Sequence, residues 1–418
     1  MKDTTLFIDK ATAERIASEF PTPFIVYDER GIKRRAKDLN AAFSWNEGFR
    51  EYFAVKATPT PAILKILLDT DCGLDCATLA ELIIAERVGA VGELSMFSSN
   101  CTPDEDFIKA KELGAVINFD DFTHIDVVEQ LCGIPQTVCC RFNPGGNFGV
   151  DDPSGNVMDI PGDAKYGMTE RQLIDAFVKL KSLGATRFGL HAFLASNTQS
   201  DAYYPALAGL MFDVALLLER ETGVRVSFIN LSGGIGVPHR PEENERDIFA
   251  IGEGVRREYD KRFADWEQKP AILTELGRYV LAPNGALITR AIREKHIYKE
   301  YIGVDASAAD FIRPAMYGSY HHVTVLGKEN DPHDKTYDIT GGLCENSDKF
   351  AVDRPLPTIE NGDLLALHDC GAHGKAMGYN YNGKLRCGEV LLKENGSFEV
   401  IRRKETLADY FATIEKYF

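Results

Sequence analysis

The chain has 418 residues, 44% of them hydrophobic and 26% charged, with a formal net charge of −16. That length exceeds what one ordinary core organises, so two domains are expected in a globular protein of average composition. The acidic balance argues against nucleic acid or an anionic membrane as partner and leaves small-molecule substrates open. No run has the length of a membrane span, and the start of the chain, residues 1–9, lacks the apolar core of a signal peptide. The nine cysteines are scattered without zinc spacing. A cytoplasmic, reduced protein without a metal is therefore expected, most of its thiols packed as small hydrophobes.

In chain order, a short helical run from Thr12 to Phe20 precedes a strand over Pro23–Tyr27 and a charged helix from Glu29. A regular alternation then begins. Strand-like segments end near Lys56, Cys76, Phe97, Phe119, Phe142, Phe193, Leu231 and Glu275, with helical spacing of apolar residues between them. Thr102 is placed to cap the helix that follows Pro103. About eight strand–helix units over residues 31–275 match a (β/α)8 barrel of TIM type, with a doubly wound open sheet as the alternative. Barrel chemistry sits at the C-terminal strand ends, where Lys56, Asp75, Arg141, Asn143, His191, Ser196, the Gly233–Gly236 loop and Glu275 fall. After Arg278 the texture changes to shorter β-like runs separated by turns such as Asn361-Gly362 and Asn395-Gly396. Residues 276–418 thus read as a mostly β domain with a C-terminal helix over Thr406–Tyr417, and residues 1–30 are expected to join it.

Several motifs carry chemistry, and each has a plain alternative. Lys56 ends the run Tyr52-Phe-Ala-Val before Pro59. An amine there is partly desolvated and becomes a nucleophile toward a carbonyl, or else simply flanks a strand and reaches solvent. Ser232-Gly-Gly-Ile-Gly236 follows a strand and can lay N–H groups around a phosphate, or be a bare turn. Glu275-Leu-Gly-Arg278 pairs an acid and a base that could equally form a surface ion pair. Cys344-Glu345 sets a thiol beside a carboxylate, although a lone cysteine is usually inert.

Taken in order these pieces resemble one family, the pyridoxal-phosphate (PLP) decarboxylases with an alanine-racemase-type barrel (fold type III), and within it the diaminopimelate decarboxylase branch. The matching segments span nearly the whole chain: Tyr52-Phe-Ala-Val-Lys56-Ala, Gly73-Leu-Asp75 with Glu81, Arg141-Phe-Asn-Pro144, Lys165-Tyr-Gly167, Gly189-Leu-His191, Gly233-Gly-Ile-Gly236, Glu275-Leu-Gly-Arg278, Arg313-Pro-Ala-Met-Tyr317, Cys344-Glu345 with Asp348, and Gly371-Ala372 with Asn380-Tyr-Asn382.

The resemblance implies that Lys56 holds PLP covalently and that Glu275 faces the pyridine nitrogen. Gly233, Gly234, Gly236, Ser196, Gly277, Arg278 and His373 would serve the phosphate, with Asp75, His191 and Phe193 around the ring. Cys344, reaching in from the partner of a homodimer, would protonate Cα as a general acid. Arg278, Arg313, Tyr317, Glu345 and Tyr381 would contact the substrate. The implied reaction is decarboxylation at the D-configured α-carbon of a diamino acid, foremost meso-diaminopimelate to L-lysine. Decarboxylation of D-ornithine or D-lysine, racemisation, and a PLP-binding regulatory role are the alternatives.

The chain departs from the family pattern at four positions. Phe193 stands where a stacking histidine is usual, and can stack without donating a hydrogen bond. Ala195 replaces a glycine near the phosphate, Leu276 a proline in the Glu-Pro-Gly-Arg run, and His373 a tyrosine that commonly contacts the phosphate. Arg313 favours a substrate with a distal carboxylate, unless it pairs with a neighbouring acid.

Overall fold

In a computed structural model, which describes residues 2–146, 148 and 160–418, the chain forms two compact units. One comprises Lys33–Val237 and Arg246–Tyr279; the other comprises Met1–Ile32, Pro238–Glu245 and Val280–Phe418. Strand β1 (Phe24–Asp28) belongs to the second unit.

The first unit is a closed parallel barrel of eight strands: β2 (Arg50–Ala54), β3 (Gly73–Cys76), β4 (Ser95–Ser99), β5 (Val116–Phe119), β6 (Thr137–Arg141), β7 (Arg187–His191), β8 (Phe228–Asn230) and β9 (Ala271–Thr274). Strand β9 closes onto β2 by pairing Thr274 with Glu51. This is the barrel expected from the alternation; the open sheet is excluded. Side chains alternating inward fill the barrel, and Tyr52, Met96, Val116, Cys139, Phe228 and Leu273 form one packed cluster. Gly189 on β7 makes room for it, because a Cβ there would lie 2.0 Å from the Phe228 ring. Outside, the helices Tyr203–Thr222 and Ile248–Arg262 meet through the Phe212, Tyr259 and Phe263 rings.

The second unit holds a nine-stranded sheet. Strand β1 lies between β10 (Gly285–His296), to which it is antiparallel, and the parallel β16 (Gly388–Leu392). The N-terminal segment therefore supplies a central strand, as the sequence suggested. The sheet continues through β11 (Glu300–Val304), β13 (Lys335–Thr340) and β14 (Lys349–Leu356) on one side and β17 (Phe398–Arg402) on the other. The short β12 (Val323–Val325) pairs with β15 (Leu364–Leu367), which pairs with β10.

Two expectations about helix ends need correction. The helix after Pro103 spans Asp104–Leu113 with Pro103 at the cap position, and Thr102 does not cap it. The C-terminal segment is no continuous helix but a five-residue turn, Leu407–Phe411, followed by a 3-10 turn at Glu415–Tyr417. Thr406 and Asp409 form a capping box that starts it, yet none of its residues is buried, so packing does not extend it. No helix among the described residues is long and apolar enough to cross a membrane.

Candidate active site at the barrel mouth

Register collects the chemistry at the C-terminal strand ends. Ala54 on β2 pairs with Asp75 on β3, and β2 also pairs with β9, which runs into Glu275. Lys56, two residues beyond β2, is thus flanked by strands that each deliver a carboxyl group. Arg141, His191 and Asn230 are also neighbours in register, on β6, β7 and β8.

Lys56 sits in a 3-10 turn, Val55–Ala57, whose flanking residues are buried while Lys56 itself is exposed. Of the two readings of this lysine, the structure shows the one that reaches solvent. The strand ends at Ala54, and the turn swings Lys56 out of the buried run. Its Nζ lies 5.6 Å from the centre of the Phe193 ring, which the Arg141 guanidinium also approaches at 5.7 Å. The Lys56 charge acts on Asp75, Glu81 and Glu275, lowering the pKa of each.

Glu275 is buried and is no surface partner of anything. Its Oε1 accepts from Asn230 Nδ2 at 2.8 Å and its Oε2 from Ser232 Oγ at 2.8 Å, while His191 Nε2 lies 3.3 Å from Oε1. Burial pushes the carboxyl pKa up, but His191, Ser232 and Lys56 outweigh it and hold the group below its ordinary value. Burial also drives His191 toward the neutral imidazole, so Asn230 and Ser232 are the donors that persist whatever its proton state. Asp75 has the opposite fate. Burial first, then the Glu275 charge, raise it well above the carboxylate range, and its Oδ1 has no hydrogen-bond partner. Two buried carboxyls here share one negative charge, and the donors place it on Glu275.

The glycine loop after β8 packs on the segment after β7. Thr198 N–H donates to Gly234 O at 2.8 Å and Gly236 N–H to Thr198 O at 2.9 Å, tying the loop to Phe193–Thr198. Gly234 has φ +121°, and a Cβ there would stand 3.0 Å from the Tyr203 ring and 3.7 Å from the Ala195 methyl. A Cβ at Gly233 would meet the Glu275 carbonyl at 2.9 Å, and one at Gly236 the Thr198 carbonyl at 2.5 Å, so each glycine is demanded by close contact. Gly277 opens the short helix Gly277–Leu281 next to Ala57 and Phe53, and Arg278 is half-buried at its start.

In the β-rich unit, Cys344 is exposed in the turn between β13 and β14. Asn382 holds it from both ends: its Oδ1 accepts from the Cys344 N–H at 2.7 Å, and its Nδ2 donates to Sγ at 3.4 Å. Asp348 shapes the turn by accepting from Leu343 and Ala308 N–H groups. Cys344 and Glu345 line a cleft of about 540 Å³ with Arg293, Lys295 and Tyr301. Arg313 is buried, makes no ion pair among the described residues, and leaves Nε without a hydrogen-bond partner. The neighbouring-acid alternative for it therefore fails. Tyr317, 5.3 Å from the Arg313 charge, and Tyr381 are exposed, and His373 is half-buried with φ +55°.

Some working residues escaped the sequence reading. Asn230 and Ser232 ended a strand and opened a glycine turn, but their service to Glu275 depends on barrel register. Glu51, a lone acid in an apolar strand, accepts from the Thr274 hydroxyl and from Leu276 N–H at 2.6 Å, and so anchors the turn that carries Glu275. Asp120 holds Arg141 at 3.0 Å.

This barrel suits a pyridoxal-phosphate group: an accessible amine, a buried carboxylate charged for a ring N–H, a glycine cradle, and two buried polar atoms, Asp75 Oδ1 and His191 Nδ1, that lack hydrogen-bond partners among the described residues. It is the site of a PLP enzyme. The chain belongs to the pyridoxal-dependent decarboxylases, whose pyridoxal-binding-domain model matches residues 29–282, and it is a PLP-dependent carboxy-lyase. Among similar proteins, Protein TabA of Pseudomonas amygdali pv. tabaci is 38% identical over 96% of this chain and 93% of its own length. Diaminopimelate decarboxylase of Methanothermobacter thermautotrophicus is 31% identical over 97% of this chain and 94% of its own. The crystal structure of diaminopimelate decarboxylase from M. jannaschii in complex with L-lysine superposes with a TM-score of 0.87, at 27% identity, over 96% of this chain and 94% of that one.

Proposed function

We propose that the chain decarboxylates meso-diaminopimelate at its D-configured α-carbon to give L-lysine, as a homodimer with shared sites in the reducing cytoplasm. The observation that carries the substrate is Arg313, a buried guanidinium with no carboxylate of its own among the described residues. Burial alone pushes its pKa down, which an incoming distal carboxylate would relieve through a bidentate pair. The similarity to proteins named diaminopimelate decarboxylase supports the same reading.

In this reading Lys56 would hold the cofactor through Nζ. Glu275, kept ionised by Asn230 and Ser232, keeps the ring nitrogen protonated. When bound, the cofactor supplies an electron sink for the pair left on Cα as CO2 departs. Phe193, His191 and Asp75 would hold its ring. The N–H groups of Gly233, Gly234 and Gly236, with Ser196, Gly277, Arg278 and His373, hold the phosphate. Cys344, supplied by a second copy of the chain, delivers its thiol proton to Cα, and the thiolate regains one from water. Glu345, Tyr317, Tyr381 and Arg278 orient the substrate beside Arg313. A free working thiol also fits a reducing compartment.

The substrate reading is tested by CO2 release from meso-diaminopimelate, D-lysine, D-ornithine and their L-forms. Turnover of meso-diaminopimelate well above the others is the expected result. Preference for D-lysine or D-ornithine would move the assignment to diamine production, and release from L-forms only would refute the stereochemistry. For the thiol, Cys344→Ala should retain the cofactor absorbance and lose on the order of 10²–10⁴-fold in kcat, the range for a removed general acid. Unchanged turnover in that variant would take Cys344 out of the reaction.

A further inference from the structure

Outside the site just described, the β-rich unit buries His239, His321 and Asp369 together, with one donor atom from each lying within 4.8 Å of the others. We propose that these three residues form a binding site for a divalent transition-metal ion, in which the Lys2 ammonium is the resident competitor.

The three come from distant parts of the sequence: the Pro238–Glu245 segment, the approach to β12, and the turn after β15. The rings of His239 and His321 are 4.7 Å apart. His321 supplies the strongest argument. Its Nδ1 lies 2.9 Å from the His368 carbonyl, which can only accept, so Nδ1 carries the proton. Nε2 is then a bare lone pair, and it is fully buried without a hydrogen-bond partner. Leaving such an acceptor unsatisfied is costly, whereas a carbonyl on the second nitrogen is the arrangement that orients a metal-ligating imidazole. Asp369 completes the set with charge. Its Oδ2 lies 3.3 Å from His239 Nδ1 and forms a buried ion pair with Lys2, whose side chain is only 5% exposed. Burial opposes ionisation there, but His239 and Lys2 outweigh it and keep the carboxyl well below its ordinary range.

Two imidazoles and a carboxylate suit Zn²⁺, Co²⁺ or Ni²⁺ better than Mg²⁺ or Ca²⁺, which prefer all-oxygen sets. Metal–ligand bonds of about 2.0–2.2 Å put tetrahedral donors roughly 3.4 Å apart. The bound of 4.8 Å exceeds that spacing by about 1.4 Å at most, so the side chains must draw together as the ion displaces Lys2 from Asp369. The Arg313 charge acts on His321 and weakens binding without removing a ligand. Ion and ammonium thus exchange on one carboxylate.

The exchange makes a directional test possible. Holoenzyme is dialysed against Co²⁺ or Zn²⁺ and the bound ion counted per chain, for wild type, His321→Gln, His239→Gln and Lys2→Met. One ion per chain is expected in wild type, bound at least about 10-fold more weakly in either histidine variant and several-fold more tightly in Lys2→Met. Circular dichroism of each variant identifies any that fails to fold, and the two histidine variants stand in for one another. Absence of a stoichiometric ion in wild type would overturn the proposal. So would an ion retained in both histidine variants, which would mark binding at the exposed thiols. Affinity unmoved by Lys2→Met would overturn the exchange itself.

Discussion

Lys56→Ala will yield a folded protein that has lost the visible absorbance of bound cofactor and, by about 10⁴-fold or more, its turnover, as when a covalent nucleophile is removed from a catalytic set. The side chain is exposed and bonded to nothing that stabilises the barrel, so its truncation costs little stability; Val55 and Ala57 hold the turn from either side. What disappears is the amine whose charge acts on Asp75, Glu81 and Glu275 together. Small primary amines added to the variant should restore part of the activity, because the glycine loop and Glu275 remain in place. Rescue of that kind separates a missing amine from a disordered mouth. A variant that keeps the full absorbance and turnover would show that another group holds the cofactor.

The barrel was legible because parallel strands buried on both faces read as short apolar runs, each followed by a helical period. Strands β13 and β14, on either side of the polar turn at Cys344, were not. Lys335 and Thr336 are exposed, β14 alternates poorly across Val352, Asp353 and Arg354, and Pro355 interrupts it, so no two-residue period survives. Site residues followed the same division. Lys56, Glu275 and the glycine run stand in motifs whose order could be compared along a chain. Asn230, Ser232 and Glu51 act through register between strands, which no local window contains. The strand end at Lys56 was misplaced for a related reason. An apolar run reads as strand to its last residue, whereas the hydrogen-bonded strand stops two residues sooner. The Asp369 cluster joins residues 2, 239, 321 and 369, and only the folded sheet brings them together.

Glu275→Gln and Asp75→Asn should move stability in opposite directions at neutral pH, although both remove a carboxyl from the same buried mouth. Glu275 has a folded pKa below its ordinary 4.5. Its stabilisation is therefore fully present above pH 4.5 and is lost as pH falls through the folded value. Asp75 is raised well above 3.8. The folded protein keeps a proton that the unfolded chain releases, so Asp75 costs stability increasingly as pH climbs from 3.8 toward its folded pKa. Asparagine mimics the protonated form without that cost, and Asp75→Asn should raise the apoprotein Tm at pH 7 by about 2–4 °C for each kcal/mol recovered. Glutamine at 275 leaves one of the Asn230 and Ser232 donors facing an N–H group, and should lower stability by about 1–3 kcal/mol, with the gap to wild type narrowing near pH 3. If Glu275 serves the ring nitrogen as proposed, Glu275→Gln should also lose on the order of 10²–10³-fold in kcat, the scale of one preorganised electrostatic contact. Thermal melts of both variants from pH 3 to pH 8 decide the matter. Parallel pH curves, or an Asp75→Asn protein less stable than wild type at pH 7, would mean that the shared charge does not reside on Glu275.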